Sequence, residues 1–210
     1  RCDPLSVVAC EPSALLVDHA RAKLQDARAH FVHAAAEAMP ARPEGFDVVV
    51  SGLVLNFIAD PRAALRAMRD RVRPGGVVAA YLWDYAGGVD MLRHFWAAAG
   101  AGDPGAAALD EARRFEGWRP ADVTALFEGA GLVAIEPTTL AVPTTFASFD
   151  DFWRPFLGGT GPAPSYVASL PAGARDALAA RLRERLPTDA DGTLPLRARA
   201  IAIRARRAAG

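Results

Sequence analysis

FDVVVSGLVLNFIADPRAALRAMRDRVRPGGVVAAYLW, residues 46–83, decides the fold class. It opens on Phe46-Asp47-Val48-Val49-Val50-Ser51, whose β-branched content makes it the strongest strand in the chain. Asp60-Pro61 follows, an N-cap acid with proline at the first helical position. Leu65, Met68 and Val72 then recur on one helical face, while Arg62, Arg66, Arg69 and Arg73 lie off it as a solvated stripe. Pro74-Gly75-Gly76 is predicted to stop that helix, and Val77–Trp83 to form the next buried strand.

Outward from this stretch the same rhythm repeats. Ser6–Cys10 is a short apolar run suited to a strand buried on both faces. Ser13 caps a helix carrying Leu16, Ala20, Leu24 and Ala27, and His30–His33 reads as another short strand before Pro40 and Pro43 break the chain. Alternating strands and helices at this spacing predict a parallel α/β sheet with its functional crevice at the carboxyl ends of the strands. Towards the C-terminus, residues 90–100 and 119–130 read as helices, and Leu132–Val142 as a strand. Ala147–Leu157 reads as an aromatic-rich helix kinked or cut short by Pro155. Gly158–Pro162 breaks the chain, Ala172–Leu186 is a helix and Leu194–Arg204 a last strand. The predicted organisation is one domain over residues 1–210 with a helical cap at 147–187.

Composition narrows the function classes. The 210 residues hold 24 basic and 24 acidic side chains, and this neutral balance removes the electrostatic drive for general nucleic-acid binding. With 51% hydrophobic residues there is ample material for a core. No apolar run reaches the ~18 residues a membrane span needs, so the expected location is cytoplasmic. Cys2 and Cys10 fit neither a disulfide framework nor a zinc pattern, and no metal site is expected.

Three strand ends become candidate sites: Cys10–Ser13, Ser51–Val54 and Trp83–Ala86. An acid closing a strand directly before a helix stands where a carboxylate accepts both hydroxyls of a ribose, and Glu11 stands there; a solvated helix cap is the alternative. Asp84 and Tyr85 are the polar candidates for a catalytic role. His94 is either a packed histidine or a base, and Asn56 either bonds a loop or touches substrate. Phe149, Phe152, Trp153 and Phe156, at helical spacing, either cover an apolar acceptor pocket or fill a core.

Glu11-Pro12-Ser13, Ala20-Arg21, Phe46–Ser51 and Arg71–Gly76, in this order, resemble class I S-adenosylmethionine-dependent methyltransferases of the small-molecule type, most closely over residues 5–85. The resemblance implies a Rossmann-like, mostly parallel sheet whose last strand, Leu194–Arg204, runs antiparallel, with helical cap insertions. It implies that Glu11 and Pro12 bind the ribose side of S-adenosylmethionine, that Ala35 and Ala36 line the adenine, and that Ser51, Gly52 and Leu53 flank the methionine portion. The implied partner is a small-molecule methyl acceptor, with neither nucleic acid nor membrane. Two departures stand out. Ala35 occupies the position where such proteins carry an aspartate for the adenine amino group, and the glycine-rich loop with its strand is absent ahead of Arg1. The latter implies a domain short of its first ~40–50 residues, about the length of a βα unit with its lead-in. A non-catalytic Rossmann-like binding module or inactive fragment is the alternative. A nicotinamide-dependent oxidoreductase is a further one, disfavoured because Lys23 is the sole lysine.

Overall fold

A computed structural model of the chain describes residues 3–209. Its first strand, β1 (Val7–Glu11), pairs in parallel with β2 (Ala29–His33), which sets Glu11 opposite His33. Between them runs α1 (Ala14–Lys23), capped as predicted by the Ser13 side chain, which accepts from the Leu16 amide. The expectation that the first strand is buried on both faces fails. Val7 is exposed and no residue of β1 is fully buried, because β1 has a ladder partner on one edge only. The apolar line along α1 is also corrected: Leu16 and Leu24 are exposed and Val17 is the buried residue.

The second sheet contains β3 (Phe46–Gly52), β4 (Val72–Trp83), β5 (Leu132–Phe146) and β6 (Leu194–Arg207), in the order β3-β4-β6-β5. The helix α2 (Pro61–Arg71) connects β3 to β4; Asp60 accepts from the Ala63 amide at 2.9 Å, and Ala64, Leu65 and Met68 are buried. Pro74-Gly75-Gly76 does not precede the strand but lies inside it, since β4 already begins at Val72. The reason is close backbone approach. Gly75 takes φ +74°, and a Cβ on Gly76 would fall 2.9 Å from the Arg73 carbonyl oxygen and 3.1 Å from that of Asp47. The arginine stripe is tied down in part: Arg69 donates to the Ala130 carbonyl at 2.6 Å and Arg73 pairs with Asp47 at 2.8 Å.

The two strands at the limits of this sheet differ. β5 is largely exposed and carries Pro137 and Pro143, whereas β3 has no proline and leaves Val48 51% and Val50 55% exposed. β6 alternates as a half-buried strand should, with Leu194, Leu196, Ala198 and Ala200 inside.

The chain divides into two compact units. The first holds the described residues up to Ala80, Thr124–Glu136 and those from Ile203 onward; the second holds Tyr81–Val123 and Pro137–Ala202. The core of the second unit is built from α3 (Asp90–Gly102), α6 (Phe149–Gly158), α7 (Pro162–Ser169) and α8 (Ala172–Arg185). Two shorter helices, α4 (Glu111–Arg114) and α5 (Pro120–Gly129), complete the set. Phe152, Trp153 and Phe156 are buried in that core, and Phe156 stacks on Phe95 at 4.5 Å between centroids. Of the two readings open for these aromatics, core packing is the one observed; Phe149, partly buried, lies under the Arg183 guanidinium at 4.0 Å. Pro155 does not cut α6 short, and α7 replaces a stretch that carried no helix signal beyond its leading proline. The predicted 147–187 segment thus contains α6, α7 and α8, all in the second unit.

Gly45 offers a direct check on the packing of β3 and β4. Its φ is +74°, and an added Cβ would sit 2.5 Å from the Arg73 nitrogen. Gly45→Ala is expected to destabilise the fold by at least about 1 kcal/mol, read as a lowered denaturation midpoint, whereas Gly87→Ala, with open space at its Cβ, changes it little.

Candidate functional site

Glu11, Pro12, Ala35 and Ala36 are brought to one end of the β1–β2 sheet by its parallel register. Glu11 ends β1, and its Oε1 accepts from the Ser13 amide at 2.9 Å, which holds the carboxylate at the start of α1. The Glu11 carbonyl accepts from the Ala34 amide at 3.1 Å, and His33 Nε2 donates to the Pro12 carbonyl at 2.9 Å. These bonds draw the chain leaving β2 alongside the chain leaving β1. Ala35 is exposed with an extended backbone, and Ala36 opens a short 3₁₀ turn, the position whose amide lacks a partner within the turn. An open depression bounded by Arg21, Leu24, His30 and Phe31 lies at the opposite end of the same two strands, away from Glu11.

Ser51, Gly52 and Leu53 sit where β3 ends. Ser51 is 7% exposed and its Oγ has no hydrogen-bond partner. Leu53 adopts φ +57°, a left-handed conformation that costs a side-chain-bearing residue energy. The next 3₁₀ turn, Leu55–Phe57, carries Asn56, 8% exposed, with neither Oδ1 nor Nδ2 bonded. An unmet buried polar group costs about 1–3 kcal/mol, so six residues concentrate several unfavourable terms. Clusters of that kind mark functional segments.

In the second unit Asp84 is buried, and its Oδ2 accepts from Arg199 Nε at 2.8 Å and Nη2 at 2.5 Å. Its amide donates to the Arg199 carbonyl and its own carbonyl accepts from the Gly88 amide, so Asp84 ties the turn after β4 to β6. Tyr85 stacks on Phe115 at 4.7 Å between centroids; burial, then the nearby Glu111 carboxylate, push its phenol up from the ordinary value. Glu111 was not legible as a site residue, because Asp110-Glu111-Ala112-Arg113-Arg114 has the charge density of a solvated segment. It is buried, Trp96 Nε1 donates to its Oε2, and burial raises its carboxyl above the ordinary value. His94 is half-buried, accepts from Arg93 on Nε2, and is pushed down by burial and by that arginine. Cys10 is partly buried, and burial pushes its thiol up, the inert direction; Cys2 lies outside the described residues. Among the described residues there is no metal-ligating cluster and no helix long and apolar enough to cross a membrane.

The order of the strands and the placement of Glu11 at a parallel strand end define an α/β methyltransferase fold of the Rossmann-like kind. Residues 1–80 match the family described as "Methyltransferase domain". Among curated proteins the chain is 31% identical, over 93 residues, to the tRNA 5-carboxymethoxyuridine methyltransferase of Escherichia coli, a match spanning 42% of this chain and 34% of that protein, about a third of the relative's length. Among solved structures it resembles a Bacillus halodurans protein described as a candidate methyltransferase, at 17% identity and a TM-score of 0.57, covering 97% of this chain and 83% of the other. It also resembles phosphoethanolamine N-methyltransferase 2 of Haemonchus contortus in complex with phosphomonomethylethanolamine and S-adenosylhomocysteine, at 15% identity and a TM-score of 0.51, covering 97% of this chain and 43% of that one.

Glu111 gives a pH-dependent test. Its carboxyl is raised in the fold, so the folded state holds the proton more tightly than the unfolded chain does. The stabilisation is therefore complete below the unfolded carboxylate range and is lost as pH rises through the raised value. Glu111→Gln keeps an oxygen for Trp96 and removes the titration. The variant is expected to melt higher than the parent at pH 8, with the difference shrinking towards zero at pH 4; an equal difference at both pH values contradicts this.

Proposed function

We propose that this chain carries the cofactor-binding part of an enzyme that transfers a methyl group from S-adenosylmethionine to a small-molecule acceptor. The observation that carries the reading is the methyltransferase-domain match over residues 1–80, the segment that contains every cofactor residue named from the sequence. The donors present fit the group. Glu11 spends Oε1 on the cap of α1 and keeps Oε2 for a ribose hydroxyl, and the unbonded Ser51 Oγ supplies a buried polar contact at the next strand end.

In this reading Glu11 and Pro12 hold the ribose, Ala35 and Ala36 border the adenine, and Ser51, Gly52 and Leu53 border the methionine portion. With Ala35 in place of an acid, adenine recognition falls to backbone groups. When bound, the cofactor supplies an electrophilic methyl on a sulfonium, and the protein's task is to position and desolvate it. Tyr85 is the better of the two polar candidates for contact with an acceptor, since the Asp84 carboxylate is engaged by Arg199. Residues 147–187 are read as an insertion into a single methyltransferase-like domain. The unpaired edges of β1 and β3 support the reading that this domain takes one further parallel strand. The 31% identical relative that acts on tRNA supports a second reading, a nucleoside within RNA as acceptor; the neutral charge balance supports the small molecule.

Calorimetric titration of the native gene product with S-adenosylhomocysteine tests the proposal. Binding is expected, and Glu11→Ala is expected to weaken it at least about tenfold, the loss of charge-assisted hydrogen bonds to a diol. Absence of binding, with the protein shown to be folded, overturns the cofactor reading.

A further inference from the structure

The cofactor residues taken from the sequence do not include the most conspicuous polar group of the first unit. Asn56 is more than nine-tenths buried, and both ends of its carboxamide lack partners. Five residues earlier, Ser51 is buried to the same degree and its hydroxyl is equally unmet. The two flank Leu53, where the chain is held in a left-handed conformation. No described side chain or backbone group satisfies either residue, so the chemistry of the missing partner can be read from what they offer.

A carboxamide offers a carbonyl acceptor and N–H donors together, and a serine hydroxyl can donate and accept. An apolar group leaves all three atoms unmet. A phosphate, which only accepts, leaves Asn56 Oδ1 unmet, and a simple ammonium leaves Nδ2 unmet. An α-amino acid zwitterion meets both ends, its ammonium donating to Oδ1 and its carboxylate accepting from Nδ2.

We propose that Asn56, acting with Ser51, is the specificity residue for the amino-acid end of the adenosyl ligand, recognising its ammonium and carboxylate together. This rests on the cofactor reading given above and adds to it a residue that reading does not use. Asn56 therefore separates ligands that carry the amino-acid end from those that share only the adenosine thioether.

The test compares S-adenosylhomocysteine with 5′-methylthioadenosine, which lacks that end, on the native gene product and on Asn56→Leu and Asn56→Ala. The parent is expected to prefer S-adenosylhomocysteine. Both variants are expected to weaken S-adenosylhomocysteine about tenfold or more while leaving 5′-methylthioadenosine unchanged, since only the hydrogen bonds to the amino-acid end are lost. Asn56→Leu, which removes an unmet polar group while keeping the volume, is expected to melt no lower than the parent. Unchanged S-adenosylhomocysteine binding in Asn56→Leu overturns the Asn56 assignment and leaves the cofactor reading standing. Equal weakening of both ligands, or a fall in melting temperature in Asn56→Leu, assigns Asn56 a structural role and overturns the proposal. If the folded parent binds neither ligand, the cofactor reading fails and the assignment fails with it.

Discussion

The parallel ladder between β1 and β2 is the constraint from which the candidate site follows. It sets Glu11 opposite His33, so that two chain segments leave the sheet at the same end. The Ala34 amide and the His33 ring then bind the carbonyls of Glu11 and Pro12. Four residues from two places in the sequence meet there with no contribution from side-chain packing. Because backbone groups make most of these bonds, the arrangement tolerates an unusual residue such as Ala35.

What the sequence revealed and what it withheld divide along physical lines. Ser13 and Asp60 were legible as caps because capping is local: a side chain and an amide three residues on are all it needs. The β-branched run at Phe46–Ser51 and the alternation in Leu194–Arg204 were legible for the same reason. The exposure of β1 was not, since it depends on whether a strand lies on each side. The start of β4 at Val72 was missed because Pro-Gly-Gly usually signals a break, while here glycine permits close approach to β3. The unmet state of Ser51 and Asn56, and the burial of Glu111, are tertiary facts that local composition does not encode.

The second unit shows how a local pattern leaves two meanings open until packing decides. Phe149, Phe152, Trp153 and Phe156 have the spacing of either a pocket lining or a core stripe. Their burial against Phe95, Leu178 and Leu182 commits three of them to cohesion. Beside that apolar mass, Trp96 and Glu111 form a polar contact inside it, which fixes the indole orientation at the cost of a desolvated carboxyl.

The two outer strands of the larger sheet carry a consequence for handling the protein. Pro137 and Pro143 interrupt the donor row of β5, so that edge resists extension by another polypeptide. β3 has no such interruption and shows Val48 and Val50 beside an open row of amides and carbonyls. At high concentration a second molecule finds there a ready template for intermolecular sheet growth, and precipitation of the isolated chain will start from β3 rather than β5.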